Sequence, residues 1–214
     1  MELRGDSTYR DGAGNAFTLT DLRVYLGGVF LDAPGVDFGD PFNPQEVLVT
    51  GGGDTLLTER NVNAVLYRAS SGSAAVVGEQ ALGGFRPATL EFTLGLPADL
   101  QNTAPASPPS GSILRTQPRL LNFSDGRGYV QARLEYRLAD SPAEARRVST
   151  FGLERVSLAI PADYPLPDRG ENLTLELVAD LGPLFAASDL SADSVAVAAA
   201  LEAALPGLLR VVVP

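Results

Sequence analysis

Residues 88–96 read ATLEFTLGL, and this stretch decides the fold. Leu90, Phe92, Leu94 and Leu96 recur at every second position, with Thr89, Glu91 and Thr93 between them. Side chains alternate across a strand with period two, so this pattern makes one apolar and one polar face. The same alternation runs outward in both directions. Upstream, Phe17 and Leu19, then Leu22, Val24 and Leu26, alternate with Thr18, Thr20, Arg23 and Tyr25. Gly27-Gly28 interrupts that run where a bulge is expected, and Val29 and Leu31 resume it. Downstream, Val130, Ala132, Leu134, Tyr136 and Leu138 share parity. Shorter strands are expected at about 46–50, 62–68, 153–160 and 172–179, with Val62, Ala64 and Leu66 on one face of the second.

Turn chemistry separates these runs. Residues 32–45, DAPGVDFGDPFNPQ, read as a loop, and GGGD at 51–54 as a hairpin turn. Residues 97–112, PADLQNTAPASPPSGS, are Pro-rich and read as a long surface loop, because Pro donates nothing to a ladder. Many short strands divided by Gly/Pro turns predict an all-β fold: an antiparallel β-sandwich, Ig-like or jelly-roll-like. One C-terminal helix is expected, with Ser191 before ADSVAVAAALEAAL and Pro206-Gly207 closing it; Val195, Ala199 and Leu205 are its expected packing positions. A chain of 214 residues fits one large sandwich, so 1–214 is read as a single domain.

Composition removes whole classes of chemistry. The formal charge is −10, and a phosphate backbone needs a basic stripe, so nucleic acid is not expected as a partner. No stretch approaches the roughly 20 apolar residues that span a bilayer, so no membrane insertion is expected. There is no His, no Cys and no Trp, and the single Met is Met1. Ser–His–Asp and Cys–His catalysis, and zinc sites of Cys and His, are thereby excluded within this chain. Carboxylates remain, but nothing in the sequence sets a pair at catalytic separation. The chain is read as non-enzymatic.

Three stretches in order resemble the MbnP-like family. They are residues 17–31, FTLTDLRVYLGGVFL; residues 84–102, GFRPATLEFTLGLPADLQN; and residues 128–135, GYVQARLE. A weaker likeness runs through VADLGPLF at 178–185 and the helix after it. The resemblance implies an extracytoplasmic β-sandwich, periplasmic or at the cell surface, associated with copper and metal homeostasis and paired with a di-haem peroxidase-like protein. An export signal would then lie outside residues 1–15, which are polar. The family's copper ligands do not carry over. Phe123 and Asp125 stand where the family shows a Trp-x-Trp element, and Thr150 stands where a His is common. Copper(I) prefers thiolate, thioether or imidazole, so copper of the family kind is not expected.

Oxygen ligands suffice for calcium, and Asp37, Asp40 and Glu46 in and beside loop 32–46 are the candidate calcium set; Asp11 and Asn15 form a second acidic turn. Tyr129 is the aromatic to watch, set against its simpler reading as a core tyrosine with a bonded hydroxyl. The competing function is a secreted or surface interaction module that docks a macromolecule through loops 32–46 and 97–112, with calcium as a possible stabiliser.

Overall fold

The computed structural model describes residues 7–36, 38–39, 41–51, 54–68, 77–79, 82–115, 123–124, 127–152, 154–166, 168 and 171–213. Along the chain run β1 (Thr8–Arg10), β2 (Ala16–Asp32), β3 (Pro44–Gly51), β4 (Asp54–Asn61), β5 (Ala64–Arg68) and β6 (Thr89–Leu94). Then come α1 (Ala98–Gln101), β7 (Phe123–Ser124), β8 (Gly128–Tyr129), β9 (Ala132–Leu138), β10 (Arg146–Thr150) and β11 (Glu154–Ala159). The chain closes with β12 (Glu176–Ala179), α2 (Gly182–Ala187), α3 (Ser194–Ala204), a 3₁₀ turn at Leu205–Gly207, and β13 (Leu209–Val212). All pairings between these strands are antiparallel, as the alternation requires.

β2 organises the large sheet. It pairs with β1, β5, β6 and β9; β10 extends the sheet beyond β9, and β11 extends it beyond β6. β9 takes Phe17–Val24 of β2, and β6 takes Gly27–Asp32. Two register shifts let one strand serve so many partners. One lies between Leu19 and Asp21, where the apolar parity of the sequence switches from odd to even. The other is the expected break at Gly27-Gly28, where Gly28 takes φ 59°. Gly27 is required for a second reason: a Cβ there would lie 2.4 Å from the Pro97 ring and 2.5 Å from the Gly95 carbonyl.

One face of this sheet is the main core. Phe17, Leu22, Val24, Phe92, Leu134 and Tyr136 are buried on it beneath Phe185, Val197, Leu201 and Val211. The covering layer is therefore the antiparallel β12–β13 pair with α2 and α3, which connect its two strands, an incomplete second leaf of the sandwich. Full burial of each such apolar side chain stabilises the fold by about 1.5–3 kcal/mol. The other face carries a smaller core of Tyr25, Val62, Ala64, Leu96, Leu100, Leu114 and Tyr129.

Residues 54–61 form a strand that no sequence pattern announced: DTLLTERN shows no clean alternation, and a partner strand holds it. Two expectations are corrected. Loop 97–112 is not surface throughout, because α1 buries Leu100 and Thr103 is buried beside it. In α3 the cap is Asp193, whose carboxylate accepts the Val195 and Ala196 amides at 2.9 Å each. Val195 and Ala199 are exposed, and the buried stripe is Val197, Leu201 and Leu205. Alanine surrounds this helix and fits either side, so its phase follows the larger side chains at i, i+4 spacing.

Candidate functional site

The hairpin β3–β4 stands apart from the large sheet as its own two-stranded ladder, registered from Pro44 opposite Asn61 to Gly51 opposite Asp54. Val47 is fully buried and anchors the hairpin to the body. Toward the tip the protection ends: Leu56 and Leu57 are 68% and 67% exposed, and Leu48, opposite Leu57, is partly exposed.

Both sequence loops named as docking candidates converge on this hairpin. At its base, Asn43 donates Nδ2 to the Val62 carbonyl and accepts, through its own carbonyl, from the Val62 amide, each at 2.8 Å. Asn61 Oδ1 accepts the Asn43 amide at 2.7 Å, and Asn61 Nδ2 donates to Pro41 at 2.8 Å. Phe42 projects from the same base, well exposed. Along the outer edge of β3 runs the 97–112 segment. Leu48 donates its amide to Ser107 Oγ at 2.9 Å and accepts the Ala104 amide at 2.7 Å, while Thr50 donates to the Asn102 carbonyl at 3.0 Å. That segment is itself pinned: Tyr25 Oη donates to the Ile113 carbonyl at 3.0 Å and Tyr129 Oη to the Leu114 carbonyl at 2.6 Å.

These bonds settle which backbone groups stay open. Backbone polar groups alternate sides along a strand. Leu48 and Thr50 point toward 97–112, so Val47, Val49 and Gly51 face β4, where they meet Thr58, Leu56 and Asp54. Thr55, Leu57 and Glu59 therefore turn their N–H and C=O groups away from β3. Among the described residues β4 has no other partner strand. It is an edge with leucines on it, the arrangement that templates pairing with another chain.

The candidate site residues of the sequence fall at scattered places. Asp37, Asp40 and Asp125 lie outside the described residues. Glu46 is exposed on β3, opposite Glu59 of β4. Among the described residues no three His, Cys, Asp or Glu side chains gather to hold a metal ion. Asp11 has a structural use: its carboxylate accepts from the amides of Ala13, Asn15 and Leu190 and from Asn15 Nδ2, at 2.7–3.1 Å. Phe123 pairs opposite Tyr129. Tyr129 is buried against Tyr25, its ring at 84° and 6.0 Å, and burial first, then Tyr25, pushes its phenol well up. It holds its proton and serves as an anchor.

Thr150 ends β10, buried, at the rim of a cavity of about 150 Å³ also lined by Gln131, Gly152, Glu154, Glu202 and Leu205. Gln131 is spent on the backbone, accepting the Leu96 amide at 2.6 Å and donating to Tyr129 at 2.9 Å. Glu202 accepts the Phe151 and Gly152 amides. A hydroxyl at position 150 with amide and carboxylate neighbours is a hard-oxygen lining, which does not fit copper(I). No helix among the described residues is long and apolar enough to cross a membrane. The chain matches no family model, no curated protein and no solved structure.

Proposed function

We propose that this chain is a non-enzymatic docking module, extracytoplasmic as its likeness to MbnP-like proteins implies, that captures an extended protein segment along the open edge of β4. The observation carrying this reading is the coincidence of outward backbone groups at Thr55, Leu57 and Glu59, which meet no second strand among the described residues, with the exposed side chains of Leu56 and Leu57. Strand addition draws affinity from main-chain hydrogen bonds and specificity from alternate side chains. Pinning by Tyr25 and Tyr129 keeps the 97–112 flank ordered before binding, which lowers the entropic cost of association.

The charges on the edge define the occupant. An antiparallel strand centred on Leu57 needs an acid opposite Arg60 and a base opposite Asp54. A second copy of β4 meets this demand: Leu57 faces Leu57, Thr55 faces Glu59, and Asp54 faces Arg60 of the copy, and in that register the outward backbone groups also coincide. A copy of the chain is therefore the occupant of choice.

Sedimentation equilibrium up to about 1 mM tests it, since a contact weaker than roughly 4 kcal/mol leaves no signal there. The wild type is expected to dimerise. Leu57→Pro removes only an outward N–H and is expected to keep the fold by circular dichroism while abolishing the dimer. A wild type that stays monomeric, and fails to bind a peptide of residues 54–61, overturns the reading. A monomer that binds this peptide points to a foreign strand of the same charge pattern.

A further inference from the structure

The polar face of the large sheet carries its charges in rows. In one row, register sets Arg68 of β5 opposite Arg23 of β2, Arg23 opposite Arg133 of β9, and Arg133 opposite Ser149 of β10. Adjacent strands lie about 4.7–4.9 Å apart, and like charges directly opposite each other repel. Three arginines side by side are costly in any sheet, and in a chain of net charge −10 they are not a by-product of composition.

The neighbouring row holds Asp21, Glu135 and Arg147. Its two carboxylates are engaged. Asp21 takes the Nε of Arg23, and Glu135 takes the Nε of Arg147 at 3.3 Å. Arg133 donates Nε to Ser149 Oγ at 3.2 Å, while its Nη1 is shielded from water and has no hydrogen-bond partner among the described residues. Burial, the largest influence, lowers the Arg133 pKa; Arg23 and Arg147 add repulsion against the pull of Glu135 and Asp21. Arg68, half-buried at the end of β5, forms no ion pair with any carboxylate among the described residues. Buried polar groups are nearly always satisfied, so a shielded guanidinium nitrogen in a row of arginines marks a place where an acceptor belongs.

We propose that the row Arg68–Arg23–Arg133 binds a tetrahedral oxyanion, phosphate or sulfate, either free or as a monoester on a larger molecule. The planar fork of arginine matches the oxygens of such an anion two at a time. Arg133 brings the shielded Nη1, and register sets Arg133 on one side of Arg23 and Arg68 on the other. Arg23, held by Asp21, lies between them. Ser149 orients Arg133. The site is on the sheet face, separate in residues from the β4 edge, so it stands or falls independently of the docking reading.

The test is the melting temperature of the chain titrated with inorganic phosphate or sulfate against sodium chloride at matched ionic strength. Specific binding raises the melting temperature with a logarithmic dependence on anion concentration, as mass action requires. In Arg68→Gln the anion-dependent rise is expected to vanish, while the melting temperature without anion is unchanged or higher, because a like-charge contact has gone. A purely structural Arg68 would lower it. Arg68→Lys, which keeps the charge but loses the fork, is expected to retain only part of the response. A parallel titration with phosphoserine separates the sources: a stronger response than to phosphate assigns the site to an ester, an equal or weaker one to the free ion. Phosphate and sulfate acting no differently from chloride, or Arg68→Gln responding as wild type, overturns the proposal.

Discussion

β2 and β4 are strands of one chain with opposite surroundings. β2 is met by four other strands, and Phe17, Leu22 and Tyr25 are at most 1% exposed. β4 is met by one among the described residues, and its leucines face solvent. Leucine has the same transfer free energy in both places; what differs is whether the topology brings a second surface to it. Apolar character thus marks stability on β2 and, in the docking reading proposed above, an interface on β4.

Substitutions can break that contrast. The largest effect is expected at Leu22, where truncation to Ala opens a cavity under the main core and should cost about 2–5 kcal/mol by urea denaturation. Leu57→Ala should cost no more than about 0.5 kcal/mol by the same measurement, because the side chain is mostly exposed. Equal losses at the two sites would mean that β4 is already covered. Next in size is Gly27→Ala, which forces a methyl group against Pro97 and the Gly95 carbonyl. A loss of roughly 1–3 kcal/mol is expected, with Gly207→Ala, where φ is not positive and a Cβ meets no neighbour among the described residues, as the control.

The edge register gives a smaller effect with a distinctive sign. Asp54→Arg and Arg60→Asp should each weaken self-association by roughly tenfold, about 1.4 kcal/mol, through like charges across the pairing. The double exchange should restore it, as read by sedimentation. Failure of the double variant to recover, with both folds intact, would exclude the register centred on Leu57.

The smallest effect lies at Asp189, beside the turn that leads into β2. This residue is fully exposed, and hydrogen bonds from the Ser191 hydroxyl first, then the Ser191 amide and Asn15, hold its carboxyl below the usual range. A depressed folded value means that the contribution is present above the unfolded pKa, about 4, and is lost as pH falls through the folded one. Asp189→Asn should therefore melt slightly below wild type at pH 7, and the two melting curves should converge as the solution is acidified. A gap that persists at acid pH would assign the loss to shape rather than charge.

Much of β2 is legible in the order of its residues. The Gly27-Gly28 break is a bulge, and even the shift at Leu19/Asp21 is written in the parity change from Phe17 and Leu19 to Leu22 and Val24. Gly95 marks the end of β6, where its amide reaches the Tyr25 carbonyl at 2.7 Å. The candidate site is legible only in part. Turn-forming residues mark loops 32–46 and 97–112, yet the strand that they flank carries no such mark, because Leu56 and Leu57 are adjacent and point to opposite faces. The acidic calcium set and the positions of the family ligands do not lead to it either: Glu46 faces Glu59, and Thr150 rims a small cavity.

By itself the amino-acid order determined the strand periods, the turns, the bulges and the absence of imidazole, thiol and indole. These are properties of neighbouring residues or of composition, and no folding is needed to express them. The tertiary structure alone decided the phase of α3, the four donors on Asp11, the arginine row and the open edge of β4. Each of these depends on residues far apart in sequence, as in the Leu190 amide on Asp11, and only long-range packing and register determine which of them meet.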